Sequence, residues 1–318
     1  MAGAAQQAAV VDLDGAAREW QEHGFVLLPG FVPAAELKPA VGELPSMYPT
    51  AEGFHDGTDG RRDRFTVDEW AGIESFPFRA TELSLLAVSE RVIDLAETLL
   101  AESDLRIYSA EAWAKYTGAA DYDQPMHRDY LNQTLLVPSD DPRYRQLEMF
   151  VYLVDVPEEL GPPSLVSRTR TTGLPAKPNW YPREDGADNE GGWVATAGSP
   201  ELYAAEVRAA GPAGTVVAWA PDTFHRGTAL TLARGARYTI HLGYRPARAE
   251  WGQRMPWVNR SHEPDWYRFV RRATPRQLAV FGFPPPGHPY WTEATLAGTA
   301  QRYPGLDMTP WRQPLRWA

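Results

Sequence analysis

Hydrophobic positions in the first hundred residues follow helical and extended patterns in turn. A short amphipathic stretch from Ala16 to Glu22 leads into the apolar run GFVLLPGFV at residues 24 to 32, which predicts a buried strand. Pro33 then opens a helix through Leu37, whereas residues 50 to 80, rich in Gly, Asp and Arg, are interpreted as a loop. From Thr81 to Ala101 apolar residues recur at steps of three and four, the helical period.

Beyond Glu102 the pattern becomes extended. Residues 105–117, 127–138 and 147–157 are rich in β-branched and aromatic side chains and are separated by turn-forming Gly, Pro and Asp. Two further strands are predicted at 214–220 and 237–245. Helices followed by irregularly connected strands favour a mainly β fold with a helical cover, a double-stranded β-helix of the jelly-roll, cupin-like type.

The chain is predicted to form one domain over residues 1–318. Residues 1–104 supply the helical cover and first strand, 105–246 the jelly-roll core, and 247–318 a C-terminal extension. Within the core, the Pro- and Gly-rich segment 170–198 is long enough to act as a lid. Ser199 and Pro200 predict the start of a helix that runs through Val207.

Composition excludes several classes of function. The chain has no cysteine, seven histidines and a net charge of −10, so thiol chemistry is absent and a metal must be held by oxygen and imidazole. The acidic balance, without a basic tract, argues against a nucleic-acid or anionic-membrane partner and favours small molecules. With no basic leader and no run of 18 apolar residues, we expect a soluble, cytoplasmic protein whose oligomeric state is open.

His127 and Asp129 are two residues apart at the head of a predicted strand, so both side chains point to one face. This triplet alone is weak evidence, because a chain of this composition contains about one by chance. His225, at the end of a later strand, completes the 2-His-1-carboxylate triad of non-heme Fe(II) oxygenases. Three positions then stay free for a 2-oxo acid and O2, and Arg237, with the Thr228 hydroxyl, suits the far carboxylate of that acid.

The chain resembles the phytanoyl-CoA dioxygenase family of Fe(II)/2-oxoglutarate oxygenases over roughly residues 17 to 246. The resemblance is carried by WQEHGFVLLPGFVPAAEL, AWAKYTGAADYDQPMHRDY and DTFHRGTALTLARGARYTIHLGYR. It implies that His127, Asp129 and His225 bind iron and that Arg237 binds 2-oxoglutarate. The cofactors implied are Fe(II), 2-oxoglutarate and O2, with succinate and CO2 as products.

The chain departs from the family pattern in places. Thr228 and Arg237 follow the distal histidine by three and twelve residues instead of two and eleven, and one inserted residue explains both offsets. Asn132 is a further candidate for contact with 2-oxoglutarate, against the alternative that it pairs only with sheet backbone. Related halogenases carry Gly or Ala at the carboxylate position, so Asp129 favours hydroxylation or another oxidation. LVSRTRT replaces a Pro-Gly-Ser-His turn that many members have.

The substrate is expected to be a small specialised metabolite with an apolar body, and Trp113, Tyr130 and Trp180 are the candidate contacts. His241 shares a strand face with Arg237 and is either a pocket residue or a core histidine. Arg234 is the rival of Arg237 as the carboxylate ligand. Two other functions stay open, a non-catalytic jelly-roll binding protein and an O2-independent metal hydrolase or isomerase on the same triad.

Overall fold

Two antiparallel sheets form the centre of the fold. The computed structural model describes residues 12–67, 69–119, 122–129, 133–136, 141–172 and 199–312. The larger sheet has the order β1-β7-β4-β9-β3-β2 and the smaller one the order β6-β5-β8. The strands in chain order are β1 Phe25–Leu28, β2 Ile73–Ser75, β3 Leu105–Tyr116, β4 Leu147–Tyr152, β5 Ser164–Val166, β6 Glu206–Arg208, β7 Val216–Trp219, β8 His225–Arg226 and β9 Ala236–Pro246. This arrangement confirms the predicted jelly-roll class with its helical cover.

Helices cover one face of the larger sheet. They are α1 Leu13–His23, α2 Ala34–Met47, α3 Ala51–His55, α4 Arg62–Val67, α5 Thr81–Ala87, α6 Glu90–Leu100, α7 Pro200–Ala204, α8 Pro264–Val270, α9 Pro275–Ala279 and α10 Glu293–Arg302. Trp20, Leu83, Leu95 and Phe269 pack from four of these helices into one buried cluster. Among the residues described, no helix has the length and apolar character that crossing a membrane requires.

The long strand β3 separates the covered face from the open face. Ala110, Ala112 and Ala114 belong to the cluster under the helices, so the alternate residues point the other way. Those residues pair directly with β9, in the register Glu111 with His241, Trp113 with Thr239 and Lys115 with Arg237. Directly opposed residues share a face, and the polar side of the sheet therefore faces the second sheet.

Local capping corrects two predictions in the first third. The loop predicted for residues 50 to 80 is wrong, since α3, α4 and β2 lie there; the Thr50 side chain accepts from the Gly53 amide and starts α3. The periodic segment 81–101 is two helices, because Ser89 adopts an extended ψ of 153° and serves as the N-cap of α6.

Strand pairing corrects two more. The predicted strand 127–138 is reduced, in its described residues 127–129 and 133–136, to an isolated bridge between His127 and His225. The helix predicted through Val207 ends at Ala204, because Val207 pairs with Leu165 of β5. The division of the chain into cover, core and extension stays a prediction, although Leu278 and Leu296 of the extension pack into the cluster under the helices.

Two glycines offer a matched test of backbone constraint. Gly214 has a φ of +82°, and a Cβ there would lie 2.1 Å from the Val32 carbonyl oxygen, so Gly214→Ala should lower the free energy of unfolding by about 2 to 4 kcal/mol. Gly42 lies inside α2 with open space around it, and Gly42→Ala should raise that free energy by about 0.5 to 1 kcal/mol. Urea unfolding of both variants checks the pair. If the two variants changed the free energy of unfolding equally, the proposed backbone constraint at Gly214 would be contradicted.

Candidate metal centre

His127 and His225 face each other across the bridge that extends the smaller sheet. Each backbone amide donates to the other residue's carbonyl at 2.9 Å, and the ring centroids lie 4.5 Å apart. The Nδ1 atom of His127 lies 2.9 Å from the Pro125 carbonyl oxygen, and that of His225 lies 3.0 Å from the Thr223 carbonyl oxygen. A carbonyl only accepts, so each Nδ1 carries a proton, which leaves each Nε2 as the atom that a metal would bind, as in metal-binding histidines.

Asp129 places its carboxylate between the two Nε2 atoms. Its Oδ2 lies 2.9 Å from Nε2 of His225, and its Oδ1 lies 3.7 Å from Nε2 of His127. One ligand atom from each of the three residues falls within 4.8 Å of the others. Two imidazoles and one carboxylate on a common face, with oriented Nδ1 protons, fit a divalent iron ion.

Electrostatics keep Asp129 and His127 in the form that binds a cation. Burial alone would raise the pKa of the Asp129 carboxyl, but the neighbouring His225 and His127 outweigh it and hold the pKa well below its usual range. Burial, together with the positive charge of His225, lowers the pKa of His127. The carboxylate is thus ionised at neutral pH and the His127 ring is neutral. Burial lowers the pKa of His225, but the Asp129 carboxylate outweighs burial and raises that pKa, so a metal ion would compete with a proton at Nε2 of this ring.

A cavity of about 250 Å³ opens at the three residues. Its wall also includes Arg237, at the start of β9, whose side chain is buried and only 8% exposed. Among the described residues, Nη1 of Arg237 has no hydrogen-bond partner and no carboxylate forms an ion pair with the guanidinium. Burial lowers the pKa of Arg237, yet an arginine stays protonated. A buried, uncompensated cation is costly, so this position calls for an anionic ligand.

The structure separates Arg237 from its rival. Arg234 lies on the surface, 56% of its side chain exposed, where it pairs with Asp56. Thr228 is buried, and its hydroxyl donates to the Pro162 carbonyl oxygen at 2.7 Å. Thr228 is not among the described residues that line the cavity. Its predicted contact with 2-oxoglutarate stays a prediction.

Other predicted site residues fall in two groups. Asn132, Tyr130 and Trp180, together with positions 173–198 of the expected lid, lie outside the described residues. Trp113 lines the cavity from β3. His241 also lines the cavity, and its ring packs against Trp219 at a centroid distance of 5.5 Å.

Sequence reasoning missed three polar residues around this wall. Glu148 of β4 is fully buried, with Oε2 lying 2.9 Å from Nε2 of His241. Glu111 is buried beside Trp113, and Arg254 reaches it from the chain beyond β9. The alternation of Glu111 and Trp113 with small alanines along β3 was a usable signal for Glu111, whereas Arg254 had no local signal.

Comparison with known proteins yields one family and several similar folds. The family described as phytanoyl-CoA dioxygenase (PhyH) matches residues 20–234. A search of curated proteins gave no match. The carbocyclase SnoK from nogalamycin biosynthesis, a non-heme α-ketoglutarate-dependent enzyme, has a TM-score of 0.50 and 20% identity, covering 73% of this chain and 83% of its own. EctD from S. alaskensis, solved with 2-oxoglutarate and 5-hydroxyectoine, has a TM-score of 0.51 and 17% identity, covering 73% of this chain and 76% of its own.

Proposed function

The chain belongs to the phytanoyl-CoA dioxygenase family and is a non-heme Fe(II)- and 2-oxoglutarate-dependent oxygenase of a small molecule, and from this premise we propose which residues carry the chemistry. His127, Asp129 and His225 hold the iron, and Arg237 binds the distal carboxylate of 2-oxoglutarate. Bound iron supplies the activation of O2, by which 2-oxoglutarate is decarboxylated to succinate and CO2 while the substrate is oxidised. We propose that the reaction on the substrate is a hydroxylation, or another oxidation, of an unactivated C–H bond.

One observation carries this assignment: the three-ligand group and a buried, uncompensated arginine share one cavity. A 2-oxo acid that chelates a metal on one face of the triad leaves its second carboxylate pointing away from the metal. Arg237 supplies the charge and the planar pair of donors that suit this carboxylate.

The protein's own part is orientation. The carbonyls of Pro125 and Thr223 fix the two imidazole rings, and the Trp219 ring packs on His225 at 5.3 Å. Between these ligands in the chain, Arg128 packs its guanidinium 4.3 Å over the Phe224 ring. These contacts hold the three ligands on one face before a metal binds, so little order is lost on binding.

The decisive experiment uses Fe(II) and 2-oxoglutarate under anaerobic conditions. We expect a weak visible charge-transfer band, followed by succinate formation that begins only when O2 is admitted. Ligand binding without consumption of 2-oxoglutarate would favour the non-catalytic binding protein instead. Turnover of a substrate in the absence of O2 would favour the metal hydrolase or isomerase.

Metal binding should also stabilise the fold, because the three ligands come together only in the native state. Mn(II) at a hundred times its dissociation constant should add about 2.7 kcal/mol to the free energy of unfolding of the metal-free protein. The His127→Ala variant should lose most of this gain, whereas a variant of the exposed His262 should keep it. Thermal unfolding with and without Mn(II) measures the difference. An equal gain in the His127 variant would place the metal elsewhere.

The substrate itself is proposed to be a small specialised metabolite with an apolar body. Trp113, Phe150 and Trp219 contribute aromatic rings to the cavity wall and support this choice.

A further inference from the structure

Glu111 is a buried carboxylate behind the wall of the cavity, and two side chains of that wall hold it in place. It is 4% exposed; its Oε2 accepts from Nε1 of Trp113 at 3.0 Å and its Oε1 accepts from Nη2 of Arg254 at 3.0 Å. An apolar pair of the same size usually stabilises a protein as well as a buried ion pair does. Stability alone therefore does not explain why a buried carboxylate is paired with a guanidinium of this wall.

Arg254 comes from a different part of the chain from the residues assigned so far. It lies 143 residues beyond Glu111, after β9 and outside the matched residues 20–234. Its side chain lines the cavity and is 22% exposed. In the described part of the chain its guanidinium makes one hydrogen bond, to Glu111, although it carries five N–H donors. The remaining donors are available to a molecule in the cavity.

Arg254 and Arg237 lie at opposite ends of the same wall. Glu111 pairs with His241 in the sheet register, and His241 is four residues from Arg237 along β9. At the strand rise of about 3.3 Å per residue, these positions are separated by about 13 Å. Arg237 is buried, whereas Arg254 is half-buried and hence nearer the opening. This backbone separation leaves room for the two guanidinium groups to serve two different ligands.

Aromatic rings flank the Arg254 end of the cavity. Trp70 and Trp113 both line it, with ring centroids 6.2 Å apart in an edge-to-face arrangement. The cavity wall in its described part carries five Lys or Arg side chains and one acidic residue, Asp129, which is assigned to iron. A planar apolar surface beside a guanidinium in such a wall suits an aromatic acid.

We propose that Arg254, oriented by Glu111, binds a carboxylate of the molecule that this enzyme oxidises, and that the apolar body of that molecule lies against Trp70 and Trp113. The inference rests on the proposed function, because Arg237 must be occupied by 2-oxoglutarate for Arg254 to be left to the substrate. Arg254 is then a specificity-determining residue, and the substrate class is an aromatic or similarly flat carboxylic acid.

Matched acids and amides test this inference on the full chain loaded with Ni(II) and saturating 2-oxoglutarate. The probes are benzoate with benzamide, 2-naphthoate with 2-naphthamide, and indole-3-acetate with indole-3-acetamide, and calorimetry measures the dissociation constants. We expect at least one acid to bind about tenfold or more tightly than its amide, since a charge-assisted, bidentate pair forms only with the acid. Equal binding within each pair, or no binding by any acid, overturns the inference.

Two variants of Arg254 and one control variant test whether Arg254 causes the preference for acids over amides. Arg254→Gln should reduce the ratio of amide to acid dissociation constants to below about threefold, and Arg254→Lys should leave it in between, because lysine keeps the charge but loses the planar fork. Arg248→Gln changes an exposed arginine of the same segment that pairs with Glu102, and it should keep the full ratio. If both Arg254 variants keep the wild-type ratio of amide to acid dissociation constants, the inference is overturned. Failure of the wild-type protein to bind 2-oxoglutarate contradicts the proposed function as well.

Discussion

Replacement of His225 by alanine should reduce 2-oxoglutarate-dependent succinate formation to below about 1% of the wild-type rate. The Thr223 carbonyl fixes Nδ1 of His225, and the Asp129 carboxylate lies 2.9 Å from Nε2, so the ring is held with Nε2 at the centre of the three-residue group. Loss of contacts around a metal ligand commonly costs 10- to 100-fold, and loss of the ligand itself costs more. Asp129→Ala should have an effect of the same size, because it removes the one anionic ligand of the group.

The matched control for this experiment is the exposed histidine His262, whose alanine variant should form succinate at the wild-type rate. Circular dichroism of the metal-free proteins separates loss of the site from loss of the fold, and iron content measured after gel filtration separates lost binding from lost chemistry. Succinate formation unchanged in either His225→Ala or Asp129→Ala would show that the iron lies elsewhere.

The sequence predicted the metal group because its signals are short-range or lie next to strands. His127 and Asp129 are two residues apart, and His225 lies six residues beyond the end of the buried run that forms β7. Their convergence did not depend on the predicted strand at 127–138. In the described part of that segment, the structure has a single β-bridge between His127 and His225 instead of a continuous strand. This bridge is sufficient to bring the three ligands together.

The buried charged residues at the cavity wall could not be predicted from the sequence in the same way. Glu111 and Arg254 meet across 143 residues, and no pattern near either residue indicates the other. The pairing of Glu148 with His241 likewise depends on the register between β4 and β9. Burial of a charge is decided by a partner from another strand or segment, so a one-dimensional pattern assigns such residues to the surface.

Short elements were lost for a related reason. α3 and α4 have five and six residues, too few for a hydrophobic period to stand out against a Gly- and Asp-rich background. The Thr50 cap was the usable local signal, and it lies at the start of the segment interpreted as loop. Val207 shows the opposite case, where pairing with Leu165 at a sheet edge outweighs a helix-start signal at Ser199 and Pro200.

Replacement of Arg237 by glutamine should raise the KM for 2-oxoglutarate about 100-fold, equivalent to about 2.7 kcal/mol, while kcat at saturation changes little. The buried guanidinium has no carboxylate partner among the described residues, so its charge is free to be matched by the co-substrate. Removing an uncompensated buried charge should also leave the ligand-free protein at least as stable as the wild type.

The free energy of unfolding of the ligand-free Arg237→Gln variant distinguishes a binding role of Arg237 from a structural role. A structural arginine would lower the free energy of unfolding when replaced and would lower kcat along with the affinity, whereas a carboxylate-binding arginine changes the KM alone. Arg234→Gln is the matched control, three residues away but exposed and paired with Asp56, and its KM should stay within about twofold of the wild type. If the KM rises in Arg234→Gln and not in Arg237→Gln, the carboxylate binds at the surface turn, and the buried cation at the start of β9 needs another anion.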